Sequence, residues 1–197
     1  MSEPIVVAAL GDSITAGSPG WDPDPQVRSR LGAAADPRSQ YEYWAAMKDP
    51  RLEFRNCGVY GERTDEIARR LDACVEGSEV LVVQGGINDI AQGRTTTAAA
   101  LNLRGIVRRG KEFGLRVALA DVLPWNNGYP KAAEPIEDLN KRVRALAREE
   151  RVRLLPFHDT LADAERPGRM RGEWTSDGDH PSVEGYRRLG ELAFALP

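Results

Sequence analysis

A serine after an apolar strand, a histidine with a carboxylate three residues before it, and an asparagine in a glycine-rich turn could together break an acyl bond. This chain carries all three. Ser13 stands in Gly11-Asp12-Ser13-Ile14, directly after the apolar run 5–10. A serine hydroxyl is a weak nucleophile until a base removes its proton, and the base must itself be oriented. The chain has only two histidines. His180 lies in Asp177-Gly178-Asp179-His180-Pro181, where a tight turn can bring the Asp177 carboxylate to the ring Nδ1–H and leave Nε2 facing a serine. Asp179 is adjacent and would point elsewhere. The competing structural reading is a solvated loop, with Ser182 capping the last helix. His158 has Asp159 beside it, but adjacent residues rarely face each other, so a structural role is expected there.

Ester cleavage also places negative charge on the former carbonyl oxygen, which needs fixed hydrogen-bond donors. Two loops offer them. Asn56-Cys57-Gly58-Val59-Tyr60-Gly61 contains two glycines at which a backbone N–H could approach a substrate, and Gly85-Gly86-Ile87-Asn88-Asp89 adds the Asn88 side-chain amide. Each block alone has a plain structural reading, because glycines make turns and Asn or Asp cap helices.

These residues need elements to position them. Five short apolar runs read as strands, at 5–10, 52–57, 80–84, 116–122 and 153–157. Most are continuous rather than alternating, the pattern of strands buried on both faces of a parallel sheet. Between them lie helical stripes. Thr64 is expected to cap a helix bearing Ile67, Leu71 and Cys74. Leu103, Ile106, Val107 and Gly110 form a second stripe, Ile136, Leu139, Val143, Leu146 and Ala147 a third, and Tyr186, Leu189 and Ala193 a fourth. Alternating strands and helices predict right-handed crossovers and a doubly wound α/β sheet. Ser13, Gly61, Asn88 and the Asp177/His180 pair then all fall at its carboxyl edge, where such sheets gather their ligands. One long segment, 17–40, is rich in Pro, Gly, Asp and Arg and reads as a loop beside the serine.

The 197 residues are expected to form one domain, with 41% hydrophobic and 29% charged residues. A net charge of -3 gives no electrostatic argument for nucleic acid or an acidic membrane as partner. Cys57 and Cys74 lie in apolar contexts and are expected as buried free thiols, with a disulfide between them as the alternative. Neither has metal-ligand spacing. The amino-terminal residues do not resemble a signal peptide and no stretch is long and apolar enough to span a membrane, so a cytoplasmic location is the default expectation. A phosphate-binding loop at 11–17 is excluded, because no Gly-Lys-Ser/Thr follows.

The ordered set Gly11-Asp12-Ser13-Ile14, Gly61 within 56–64, Gly86-Ile87-Asn88-Asp89 and Asp177-x-x-His180-Pro181 resembles the GDSL or SGNH hydrolase family of esterases and lipases. The resemblance runs over nearly the whole chain. It implies a flavodoxin-like, three-layer α/β/α sandwich around a five-stranded parallel sheet. It makes Ser13 the nucleophile, His180 the base and Asp177 its orienter, with the Ser13 N–H, the Gly61 N–H and Asn88 as the oxyanion hole. Ile14 replaces the commonest Leu of the motif. Gly61 is preferred to Gly58 because Glu62-Arg63-Thr64 matches the family's usual polar continuation. No metal or organic cofactor is implied. Asp12, Trp125, Asn126 and Trp174 are candidates for substrate contact, although aromatics there could equally seal loops onto the sheet. Without a long apolar tract to form a lid, a small short-acyl ester is the expected substrate. A carbohydrate O-deacetylase, a thioesterase or lysophospholipase, and a catalytically silent binding module are the alternatives.

Overall fold

Runs of Val, Ala and Leu form the strands of a five-stranded, all-parallel sheet. The computed structural model describes residues 3–197. The strands are β1 (Ile5–Gly11), β2 (Leu52–Gly58), β3 (Val80–Val83), β4 (Arg116–Ala120) and β5 (Arg153–Leu155), in the spatial order β2-β1-β3-β4-β5. The chain therefore leaves β1 toward one edge and returns to its other side at β3. That reversal opens a crevice at the carboxyl end of β1.

The period of two along the strands divides the core cleanly. Ala8, Leu10, Leu81, Val83, Val117 and Leu119 face one helical layer. It holds α4 (Thr64–Arg69), α5 (Leu71–Val75), α7 (Thr96–Glu112) and α8 (Ala133–Glu150), whose buried stripes include Ile67, Leu103, Ile106, Leu139 and Val143. Val7, Ala9, Val80, Val82, Ala118 and Ala120 face the other layer. There α3 (Tyr41–Lys48), α9 (Phe157–Leu161), α10 (Val183–Arg188) and a π-helical turn at Leu189–Ala193 supply Tyr41, Phe157, Tyr186 and Leu189. The result is a three-layer α/β/α sandwich.

Several local expectations change. β3 stops one residue short, β4 and β5 stop two short, and Phe157 begins α9 instead of ending β5. Segment 17–40 is not simply a loop. Asp24 caps a helix α2 (Pro25–Leu31) by accepting from the Gln26 N–H, and proline occupies the first turn, where its missing N–H costs nothing. The cap of α4 is Arg63, because the Thr64 hydroxyl is taken by Asp89. His158 does face its neighbour: Nδ1 lies 3.0 Å from Asp159 Oδ1.

The largest correction concerns the cysteines. Cys57 and Cys74 are joined in a disulfide, not left as free thiols. α5 packs on β1, the neighbour of β2, and the two Cα atoms come to 6.1 Å, within normal bridging reach. A bridge across 17 positions restricts the unfolded chain. Reduction is therefore expected to cost about 2–4 kcal/mol of stability. Iodoacetamide labelling of denatured protein, read by mass, should show no free thiol before reduction and two after it. Urea unfolding with and without reductant would measure the cost.

Candidate active site

The site begins where β1 ends. Asp12 leaves the sheet, and its Oδ1 accepts from the Ile14 N–H at 2.9 Å. That contact caps the one-turn helix α1 (Ser13–Ala16) and presents Ser13 as its first residue. Gly11 is required by close approach: a Cβ there would lie 2.2 Å from Thr15 Oγ1. Gln84, just after β3, fixes the turn from behind. Its Oε1 accepts from the Thr15 hydroxyl at 2.9 Å and from the Asp12 N–H at 3.3 Å.

His180 approaches from the other end of the sequence. Its Nε2 lies 3.1 Å from Ser13 Oγ, and its Nδ1 lies 2.8 Å from Asp177 Oδ2. The second Asp177 oxygen accepts from the backbone N–H groups of Asp179 and His180, at 2.9 and 2.8 Å. Burial works against an ionised Asp177. The hydrogen bonds from the His180 ring and the two amides outweigh it and hold the carboxyl below its ordinary range. The loop is clamped from outside by Asn126, whose N–H donates to Gly178 O at 3.0 Å, and by Asn127, whose Nδ2 donates to Asp177 O at 2.9 Å. Ser182 does cap α10, accepting from the Gly185 N–H. Capping and the Asp177–His180 contact thus coexist in one loop.

The second and third strands supply the remaining groups. Gly58 is packed against the backbone of α1, and its N–H is committed to Asn56 Oδ1 at 2.9 Å. Gly61 has a φ of +78° and open space around it, a conformation that favours glycine. Asn88, in the first turn of α6 (Ile87–Ala91), donates one amide hydrogen to Glu62 O at 3.0 Å. Its Nδ2 has a second hydrogen free to serve another acceptor. Arg70 braces this corner by donating to Cys57 O, Gly11 O and the Glu62 carboxylate. Asp89 joins the block to α4, accepting from both the N–H and the hydroxyl of Thr64.

Ser13, Asn88 and His180 line one pocket of about 100 Å³, together with Ile14, Tyr60, Ile87, Ala91, Trp125 and Asp179. Trp125 was anticipated there; Tyr60, Ile87, Ala91 and Asp179 were not. Asp12, Asn126 and Trp174 do not line it. Asn126 instead spans the Met170 backbone, donating to its oxygen and accepting from its N–H. Trp174 packs at the edge of the core with the Arg188 guanidinium over its ring. Among the described residues, no group of three or more His, Cys, Asp or Glu side chains is placed to hold a metal ion.

Asp12 is fully buried behind Ser13, with one carboxylate oxygen unpartnered. Burial pushes its pKa up to about 6, against the pull of the Ile14 and Gln84 hydrogen bonds. Because the folded value lies above the unfolded one, the fold loses stability as pH rises from about 4 to about 6. The loss at neutral pH is roughly 3 kcal/mol. Asp12→Asn keeps the cap acceptor and removes the ionisation. Its stability relative to wild type should improve by that order between pH 4 and 7, read from urea midpoints. A constant difference across that range would rule this out.

The model of the GDSL-like lipase/acylhydrolase family matches residues 9–188. The chain belongs to that family. Solved structures agree in fold. A protein assigned to the lipolytic G-D-S-L family from Desulfitobacterium hafniense DCB-2 superposes with a TM-score of 0.78 at 21% identity, covering 95% of this chain and 96% of that one. A GDSL-like lipase from Bacteroides thetaiotaomicron VPI-5482 gives 0.71 at 21% identity, with 98% and 89% covered. AlinE4, an SGNH-hydrolase family esterase, gives 0.65 at 24% identity, with 96% and 92% covered. No curated protein matches the chain by sequence. Members of the GDSL family are generally ester hydrolases. No helix among the described residues is long and apolar enough to cross a membrane.

Proposed function

We propose that this GDSL family member is a serine carboxylesterase acting on short-chain acyl esters. The observation that carries the reading is the continuous path from Ser13 Oγ through His180 to Asp177, opening into a pocket that Asn88 also lines. His180 Nε2 takes the Ser13 proton as Oγ attacks the ester carbonyl. The oxyanion is held by the Asn88 amide, the Gly61 N–H and the Ser13 N–H, which makes no bond inside α1 because Ser13 is its first residue. Collapse of the tetrahedral intermediate expels the alcohol, protonated by His180, and leaves an acyl-serine. Water, deprotonated by His180, then attacks the acyl group and releases the acid. Asp177 holds the ring in the tautomer with Nε2 free and stabilises the transient imidazolium.

The pocket of about 100 Å³ supports a short acyl group. Sites for larger ligands run to roughly 300–1,000 Å³. Its walls of Ile14, Ile87 and Ala91 suit a methyl or propyl tail. An acetyl group carried on a sugar would fit the same space. Hydrolysis of p-nitrophenyl esters from acetate to palmitate, with acetylated sugars in parallel, tests both readings. kcat/KM should be highest at acetate or butyrate and fall steeply beyond. A maximum at palmitate would overturn the short-chain assignment. Failure to cleave any ester, with no fluorophosphonate labelling of Ser13, would overturn the esterase itself.

A further inference from the structure

The mouth of the pocket has a chemistry that ester cleavage does not require. Asp179 lines it and is exposed, although its neighbours Asp177 and His180 are tied to each other. One Asp179 oxygen accepts from Trp125 Nε1–H, which fixes the carboxylate at the rim. Two aromatic residues line the same space. Tyr60 is 66% exposed, and its ring lies 5.9 Å from that of His180. Trp125 packs its six-membered ring against Gly128.

No lysine or arginine lines the pocket. The three cations of the adjoining α4 region are already engaged, Arg63 by Asp65 and Glu66, Arg69 by Asp65, and Arg70 by Glu62. An open carboxylate flanked by aromatic rings, with no competing cation, is the arrangement that attracts a weakly hydrated cation such as a quaternary ammonium. Coulomb attraction and ring faces act on the same group. We propose that the preferred substrates carry a permanently cationic nitrogen in the alcohol part, with Asp179 as the specificity-determining residue and Tyr60 and Trp125 as its aromatic walls. This inference rests on the serine esterase reading of the same site. Water is the only co-reactant: the ester yields the short carboxylic acid and the cationic alcohol.

A matched pair of esters isolates charge from shape. Acetylcholine and its uncharged isostere 3,3-dimethylbutyl acetate differ in one atom and its charge. Wild-type kcat/KM should favour acetylcholine by about 3- to 10-fold at low ionic strength, and the preference should shrink as salt is added. Asp179→Asn retains an acceptor for Trp125 and should bring the ratio close to one. The ratio within one enzyme cancels any effect of the variant on His180. An unchanged ratio in Asp179→Asn, or a wild-type ratio near one, would overturn the proposal.

A second measurement needs no turnover. The indole N–H resonance of Trp125, assigned with Trp125→Phe, should titrate with choline at lower concentration than with 3,3-dimethylbutan-1-ol. Equal titrations would also overturn the charge preference. If choline is preferred while no ester is cleaved and Ser13 stays unlabelled, the cation site stands and the reaction assignment falls.

Discussion

Replacing Ser13 with alanine is expected to lower kcat/KM for p-nitrophenyl acetate by at least about 10³–10⁴-fold while leaving the fold intact. The expectation follows from how little else the hydroxyl does. Its hydrogen bond is to His180 Nε2, whereas the turn is held by Asp12, Gln84 and the tight fit of Gly11. Removing Oγ deletes the attacking atom and leaves those contacts in place. The oxyanion donors would remain, so a small residual rate above the uncatalysed one is expected. Turnover within tenfold of wild type in a folded Ser13→Ala protein would remove Ser13 as the nucleophile.

Asn88→Ala should lower kcat by about 10²–10³-fold with little change in KM, the scale of one lost oxyanion donor. The split matters. A contact that strengthens only as charge develops on oxygen affects kcat, whereas uniform binding would appear in KM. Asn88 also donates to Glu62 O, so the substitution removes one structural bond as well. Arg70 still holds the Glu62 carboxylate in that variant, and the stability cost should stay near 1 kcal/mol. A KM effect alone, or unchanged kcat, would exclude Asn88 from the oxyanion hole.

The positions of Ser13 and Asn88 were legible because each sits in a short polar block just after an apolar strand, and that of His180 because Asp177 stands three residues before it at the entry to the last helix. A parallel sheet collects such blocks on one edge without needing details of packing. What stayed hidden depends on angles between elements. The Cys57–Cys74 bridge joins α5 to the end of β2, a tertiary meeting that no spacing encodes. Arg70 reads in sequence as one more charge on a solvated helix face; in the fold its guanidinium covers carbonyls at the ends of two strands. Thr64 carries a strong capping signal, yet Asp89, 25 residues later, takes its hydroxyl. Trp174 and Asn126 lie close in sequence to groups that line the pocket, but their side chains turn to the core edge and to the Met170 backbone. Asp179 was read as pointing away from His180, and it does, into the pocket mouth.

The sequence separation of 167 from Ser13 to His180 has a consequence for synthesis. A nascent chain translated as far as β5 has every strand of its sheet and a serine with no base beside it. Domains fold as the chain emerges, amino-terminal parts first. On the serine esterase reading, the newborn protein therefore lacks its base until its final stretch, which also carries the core residues Tyr186 and Leu189, closes over the sheet.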